Sequence, residues 1–119
     1  MYSIRRSSAK NRVEIIFDGS HDYSSEIFTA ELKDAALEVR SADGVFDLLV
    51  DFSNSHVLPQ DAAHRSENNI VWCSAHGMRK SANIVPTMTH RMQLKRVSRG
   101  NERLEYFETR GEAESWLDA

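Results

Sequence analysis

Leu48, Leu49 and Val50 run apolar without alternation inside the segment 46–53, between Asp47 and Asp51. A strand has this pattern when both of its faces are covered, as in the middle of a mainly parallel sheet with helices on each side. Apolar residues at helical spacing lie before and after it. Phe28, Leu32, Ala35, Ala36 and Val39 form one stripe and predict a helix over 24–40, with Ser24 or Ser25 as its cap and Gly44 beyond its end. Ala62, Ala63, Ser66, Ile70 and Cys73 share one face of a second helix, which starts near Pro59 or Gln60 and ends before Gly77. Upstream, 2–7 alternates weakly and 12–17 carries Val13, Ile15 and Phe17, which predicts an antiparallel pair joined by the polar turn 8–11. Downstream, 82–86 predicts a strand that Pro86 stops, 87–100 a third helix and 103–108 a last strand. Thr109 and Glu112 have the spacing of a capping box, and Ala113, Trp116 and Leu117 follow at i, i+3 and i+4 of a final helix. The order ββαβαβαβα predicts one α/β domain over 1–119, a mixed, mostly parallel sheet of about five strands with helices packed on it.

Composition narrows the class. The chain has 119 residues, 40% hydrophobic and 28% charged, which suits one globular domain with one core. No stretch is long and apolar enough to cross a bilayer. Residues 1–6 lack the apolar core of a secretory signal, and the single cysteine, Cys73, leaves no internal disulfide, so a reducing cytoplasm is expected. Charge is unevenly spread. Residues 18–51 hold nine acids against Lys33 and Arg40, whereas 79–103 hold seven bases against Glu102. Such a division favours an anionic partner, or lets the two halves face each other.

Candidate chemistry gathers in two places. The first is the loop that leaves the carboxyl end of the central strand, where ligand and switch sites of open α/β sheets lie. Asp51, Ser53, Asn54, His56 and Asp61 are its candidates, and an enzyme reading needs Asp51, His56 and Asp61 to converge in one cleft. The second is the helix over 87–100. Met88, Arg91, Met92, Lys95 and Arg99 fall on one side of it, and His90, Leu94 and Val97 on the other. Burying the basic side would strand cations, so Leu94 and Val97 are expected to face inward and leave the methionines in a basic stripe. Soft methionines among cations suit an acidic protein groove or an anionic lipid boundary; the alternative is that the arginine and lysine stems cover them. Trp72 lies off the core face of its own helix and is a further anchor candidate, or lies beneath a loop or another subunit, so that a homodimer is one option.

Other patterns lead nowhere specific. Cys73 and His76 have ligand-like spacing without a second pair, and Cys73 falls on the core face of its helix, so no metal site is expected. There is no phosphate-cradling glycine loop and no nucleophile elbow, and no cofactor is expected. The basic helix lacks interleaved aromatics, so nucleic acid is not an expected partner. The run 46–51 looks like the acceptor strand of a response-regulator receiver, but the span from Asp18 to Asp51 has room for one helix only, and Gly19 stands where a second acid is needed.

The element order, the strand entering a loop as Leu49-Val-Asp-Phe-Ser-Asn54, the strand–helix pair over 81–99 and the ending Tyr106-Phe-Glu-Thr-Arg-Gly-Glu-Ala-Glu-Ser-Trp-Leu117 resemble the SpoIIAA-like group, which includes the STAS domains and the anti-sigma-factor antagonists. In the antagonists a strand ending Asp-x-Ser-Gly leads to an Asp-Ser-Ser-Gly turn, whose serine a partner kinase phosphorylates. Asp51 and Ser53 match the strand end, Asn54 replaces the glycine, and Pro59, Gln60, Asp61 and Ala62 occupy the turn, so Asp61 stands where the acceptor serine would be. The resemblance implies a non-enzymatic regulatory or binding module with a protein partner. The relation of some SpoIIAA-like proteins to Sec14-type folds implies, as an alternative, a small carrier of lipid or another apolar ligand.

Overall fold

The computed structural model describes residues 2–19, 26–55, 60–98 and 101–119, with the side chains of 60–63 and 97 left aside. Nine elements follow in the expected order: β1 (Tyr2–Ser7), β2 (Arg12–Gly19), α1 (Glu26–Val39), β3 (Phe46–Ser55), α2 (Gln60–Ala75), β4 (Met78–Ile84), α3 (Met88–Ser98), β5 (Leu104–Phe107) and α4 (Arg110–Asp118). The proposed caps Ser24 and Ser25, and Pro59, lie outside the described residues.

The strands stand side by side in chain order, β1 antiparallel to β2 and every later pair parallel. This order decides the layering. Parallel crossovers are right-handed, and here three of them step the same way across the sheet, so α1, α2 and α3 arrive on one face. There Phe28, Leu32, Ala35, Ala36 and Val39 of α1, Cys73 of α2 and Leu94 of α3 pack with Phe46, Leu48, Val50 and Phe52. Among the described elements only α4, after the last strand, covers the other face, where Ala113 and Leu117 pack on Leu49, Ala82 and Ile84. The unbroken run of β3 is thereby explained: Leu48 and Val50 face three helices, Leu49 faces α4, and all three are at most 7% exposed. Truncating a fully buried leucine such as Leu49 costs about 2–5 kcal/mol.

Several boundaries differ from expectation, most by one or two residues, and two differences bear on the site. β4 starts at Met78 rather than residue 82, because Arg79 and Lys80 find partners inside the fold: Arg79 grips Asp47 of β3, and Lys80 Nζ donates to the Trp116 carbonyl at 2.9 Å. β3 runs on to Ser55, and a register shift beyond Ile16 lets Asp18 and Gly19 pair with Asn54 and Ser55. Asn54, expected in a loop, is therefore in the strand.

Gly77 does more than end a helix. Its φ is +110°, and a Cβ there would lie 1.9 Å from the Gly44 carbonyl oxygen. The turn before β3 and the turn before β4 touch backbone to backbone at this point, and Phe46 N donates to the Gly77 carbonyl at 2.9 Å. Asn11 takes the other demanding position, φ 51°, in the turn between β1 and β2. Its Nδ2 donates to the Val39 carbonyl at 2.8 Å, tying that turn to the end of α1.

Candidate functional site

At the carboxyl edge of the sheet, Phe52 turns inward, stacked on Phe17 with centroids 5.2 Å apart and edge-on to His90 at 5.3 Å. His90 is 2% exposed, so the inner side of α3 is set by His90 and Leu94 together. Ser53 and Asn54 are exposed and Asp51 is half-buried. Asp51 Oδ1 accepts the backbone N–H of Ser53 at 2.8 Å, a local turn that occupies the carboxylate with its own chain. His56 and the Asp61 side chain lie outside the described residues; Asp61 itself falls in the first turn of α2.

On α3 the methionines point away from the sheet: Met88 is 65% exposed and Met92 51%. Lys95 and Arg96 are exposed beside them, and Lys95 Nζ lies 5.7 Å from the centre of the Tyr106 ring. Arg91 behaves differently. It is half-buried and donates to the Val85 carbonyl at 3.0 Å, holding the turn between β4 and α3 rather than reaching into solvent. Arg99 lies outside the described residues. From beneath, the Tyr106 hydroxyl sits 3.1 Å from the Leu94 carbonyl and 3.0 Å from the Ser98 hydroxyl, and burial raises its pKa above the usual phenol value.

Trp72 is half-buried. Its ring stacks on His76 at 4.0 Å and 12°, and Lys33 Nζ from α1 lies 5.4 Å from its centre. It forms one wall of an open groove of about 530 Å³ between α1 and α2, shared with Glu26, Thr29, Arg65 and Asn68. Thr29 Oγ1 donates to Asn69 Oδ1 at 3.1 Å across the groove floor.

Beneath the three helices lies a smaller cavity of about 80 Å³, walled by Phe28, Val50, Phe52, Ile70, Cys73 and Leu94 among others. At roughly 10–15 Å³ per water it has room for about half a dozen waters, not for an acyl chain. Buried Asn83 lines it too, but its Nδ2 is committed to the carbonyls of Ser81 and Glu105, both at 3.1 Å. Burial pushes the Cys73 thiol up to about 12, against a smaller lowering by Lys33.

The pairs that the sequence reading missed are on the opposite face. Arg79 binds Asp47 with two hydrogen bonds, Arg12 binds Asp118 at 2.7 Å, and Arg110 binds Glu14 and Glu114. Opposite charge at i, i+4 marks Arg110 and Glu114 in the sequence; the other pairs join residues from 32 to 106 positions apart, where spacing carries no signal. Among the described residues, no group of three or more histidine, cysteine or acidic side chains is placed to hold a metal ion, and no helix is long and apolar enough to cross a membrane.

No protein-family model matches the chain, and no curated protein does. Solved structures do. The NMR structure of the protein TM1081 superposes with a TM-score of 0.63 at 11% identity, over 99% of this chain and 89% of that one. The Bacillus cell fate determinant SpoIIAA, in its phosphorylated form, superposes with a TM-score of 0.57 at 15% identity, over 98% of this chain and 99% of the other. The fold is therefore SpoIIAA-like.

Proposed function

We propose that this chain is a non-enzymatic regulatory module that binds an acidic protein surface through α3 and the adjoining carboxyl edge of β3, in the cytoplasm. One observation carries the reading: Met88 and Met92 stand more than half exposed beside Lys95 and Arg96, on a helix anchored from below by Leu94, His90 and Tyr106. Large apolar side chains held in water on a fixed support, rimmed by cations, suit a partner that presents apolar and acidic groups together. The likeness to SpoIIAA, a Bacillus cell fate determinant, is in keeping with a regulatory role. That structure is of a phosphorylated form; on the resemblance read from the sequence, Asp61 stands where the antagonists have their acceptor serine, and in this proposal binding is not governed by a phosphoserine there.

The carrier alternative fares worse on size, since the cavity under the helices is too small for a lipid tail. The enzyme alternative has its one described carboxylate, Asp51, engaged with Ser53 N.

The test places a photo-crosslinking residue at Met92 in cells and compares the otherwise native chain with the Lys95→Glu/Arg96→Glu variant. Discrete adducts that vanish in the variant are expected, with no flotation of purified protein on anionic phosphatidylserine vesicles. Adducts unchanged by the charge reversal overturn the reading, and flotation replaces the protein partner with a lipid surface.

A further inference from the structure

The chain holds four methionines and one cysteine. Their sulfur atoms are the first targets of mild oxidants in a folded protein, and burial decides which of them an oxidant reaches. Cys73 is 1% exposed, and burial pushes its thiol up to about 12, so little reactive thiolate forms there. Met78 of β4 is 3% exposed and packs in the core. Met1 lies outside the described residues. Met88 and Met92, by contrast, are 65% and 51% exposed. Among the described residues, the exposed sulfur-bearing side chains are therefore confined to one side of α3.

The other large apolar side chains that the described residues leave exposed, Ile27, Leu37, Val45 and Val71, are aliphatic, and mild oxidants do not change them. On α3 both exposed apolar positions are methionine. Their i, i+4 spacing makes them neighbours on the helix surface, beside the exposed Lys95 and Arg96. The groups that hold the helix from below, His90, Leu94 and the Tyr106 hydroxyl, carry no thioether. Oxidation can thus change what α3 presents without removing what anchors it. A methionine sulfoxide is polar and chiral where the thioether was apolar and flexible, and dedicated reductases return it to the thioether.

We infer that Met88 and Met92 form a modification site: a hydroperoxide oxidises both thioethers in the folded protein and so switches off the binding that α3 provides. This rests on the proposed function, since it names the regulation of that same surface. In each step a sulfur lone pair attacks one peroxide oxygen, the O–O bond breaks and an S–O bond forms. The thioether gives up an electron pair and becomes a sulfoxide. The departing hydroxide takes the proton from the new S–OH group and leaves as water, so the peroxide is reduced. A thioether carries no proton near neutral pH, and the reaction therefore needs no neighbouring base, in contrast to attack by a thiol. What the oxidised helix loses is its apolar share; Lys95 and Arg96 keep their charge. A partner surface that matches apolar and cationic groups together is then met by cations alone.

The experiment uses the purified full-length chain with a photo-crosslinking residue at Thr89, which is exposed and leaves both methionines in place. Part of it is treated with hydrogen peroxide and desalted, so that no partner meets the oxidant. Peptide mass mapping is expected to find an added oxygen at Met88 and at Met92 while Met78 is still unmodified, with the far-UV circular dichroism unchanged. Treated and untreated chains are then irradiated in cell lysate. The treated chain is expected to give at least about tenfold less of the adducts that the untreated chain gives, and methionine sulfoxide reductases A and B to restore them. Met88→Gln/Met92→Gln should show the same loss without peroxide. Oxidation of Met78 as fast as of the other two overturns the inference, as do adducts that survive with both methionines oxidised, or a loss that the reductases do not reverse. An untreated chain without adducts counts against the proposed function and takes the switch with it, whereas adducts that ignore oxidation leave that function standing.

Discussion

Arg79 holds both carboxylate oxygens of Asp47, through Nε at 2.9 Å and a terminal nitrogen at 2.6 Å, and the same terminal nitrogen donates to the Leu117 carbonyl at 3.0 Å. Asp47 is 4% exposed, whereas the Arg79 side chain is 47% exposed. The hydrogen bond to Asp47 is the main reason that the Arg79 pKa lies above its usual value. One guanidinium thus joins β3, β4 and the carbonyl end of α4, where a cation also meets the negative end of the helix dipole.

The two members of this pair are unequal. Arg79→Ala leaves a buried carboxylate without its cation, whereas Asp47→Ala leaves a guanidinium that can turn into water. Removing one partner of a buried pair costs about 3–5 kcal/mol, and the half-exposed arginine, which water can partly replace, brings the expectation down to about 1–3 kcal/mol. Urea unfolding should show Arg79→Ala to be the more destabilising of the two. Equal losses would mean that water already enters the Asp47 site.

Two glycines give opposite expectations for one substitution. At Gly77 a methyl group meets the Gly44 carbonyl oxygen at 1.9 Å on a backbone of φ +110°, and both objections are to backbone, which cannot turn aside. Gly77→Ala should cost more than about 2 kcal/mol. At Gly111, inside α4, a methyl group meets nothing within 4 Å, and Gly111→Ala should stabilise by about 0.5–1 kcal/mol. Thermal melts of both variants check the contrast, and a neutral Gly77→Ala would break the proposed contact between the two turns.

The doubly buried run at 48–50 was legible because it depends on a local pattern that only a covered central strand satisfies, and Thr109 as the cap of α4 was legible from residues three apart: its Oγ1 accepts from Glu112 N at 3.3 Å. The start of β4 was not. Arg79 and Lys80 look like loop residues until Asp47 and the Trp116 carbonyl are seen opposite them, and those partners are 32 and 36 residues away. The candidate site divides in the same manner. Periodicity alone placed Met88 and Met92 on the side away from Leu94, and they are exposed. That Arg91 turns back to Val85, while Lys95 and Arg96 do not, depends on the angle at which α3 meets β4.

Acid should loosen α4 at its end. Asp118 is exposed, and its carboxyl is held below its ordinary value, chiefly by the hydrogen bond from Arg12. A carboxyl with a lowered folded value adds stability that is fully present above the ordinary 3.8 and is lost as pH falls through the lower folded value. The wild type should therefore lose its advantage over Asp118→Asn below about pH 4, with no difference in slope between pH 5 and 8. Trp116, two residues away and 5.7 Å from Phe107, reports the change by fluorescence. A difference that persists unchanged at pH 2 would separate Asp118 from the docking of α4.

Cys73 should be inert while the protein is folded. The thiol is 1% exposed, and burial moves its pKa from 9.0 to about 12. At pH 8 the thiolate is then about one part in ten thousand, against roughly a tenth or more for an ordinary thiol, so attack on a disulfide reagent is slowed about a thousandfold before access is considered. Labelling at pH 8 should track global unfolding and rise with urea as the unfolded fraction does. The sign at high pH follows from the same shift. Above about pH 9 the unfolded chain loses the thiol proton and the folded chain keeps it, so stability falls as pH rises from 9 towards 12. Cys73→Ala should lack that part of the slope. Rapid labelling of native protein, with the melting temperature unchanged, would mean instead that α2 lifts from the sheet without the rest of the fold opening.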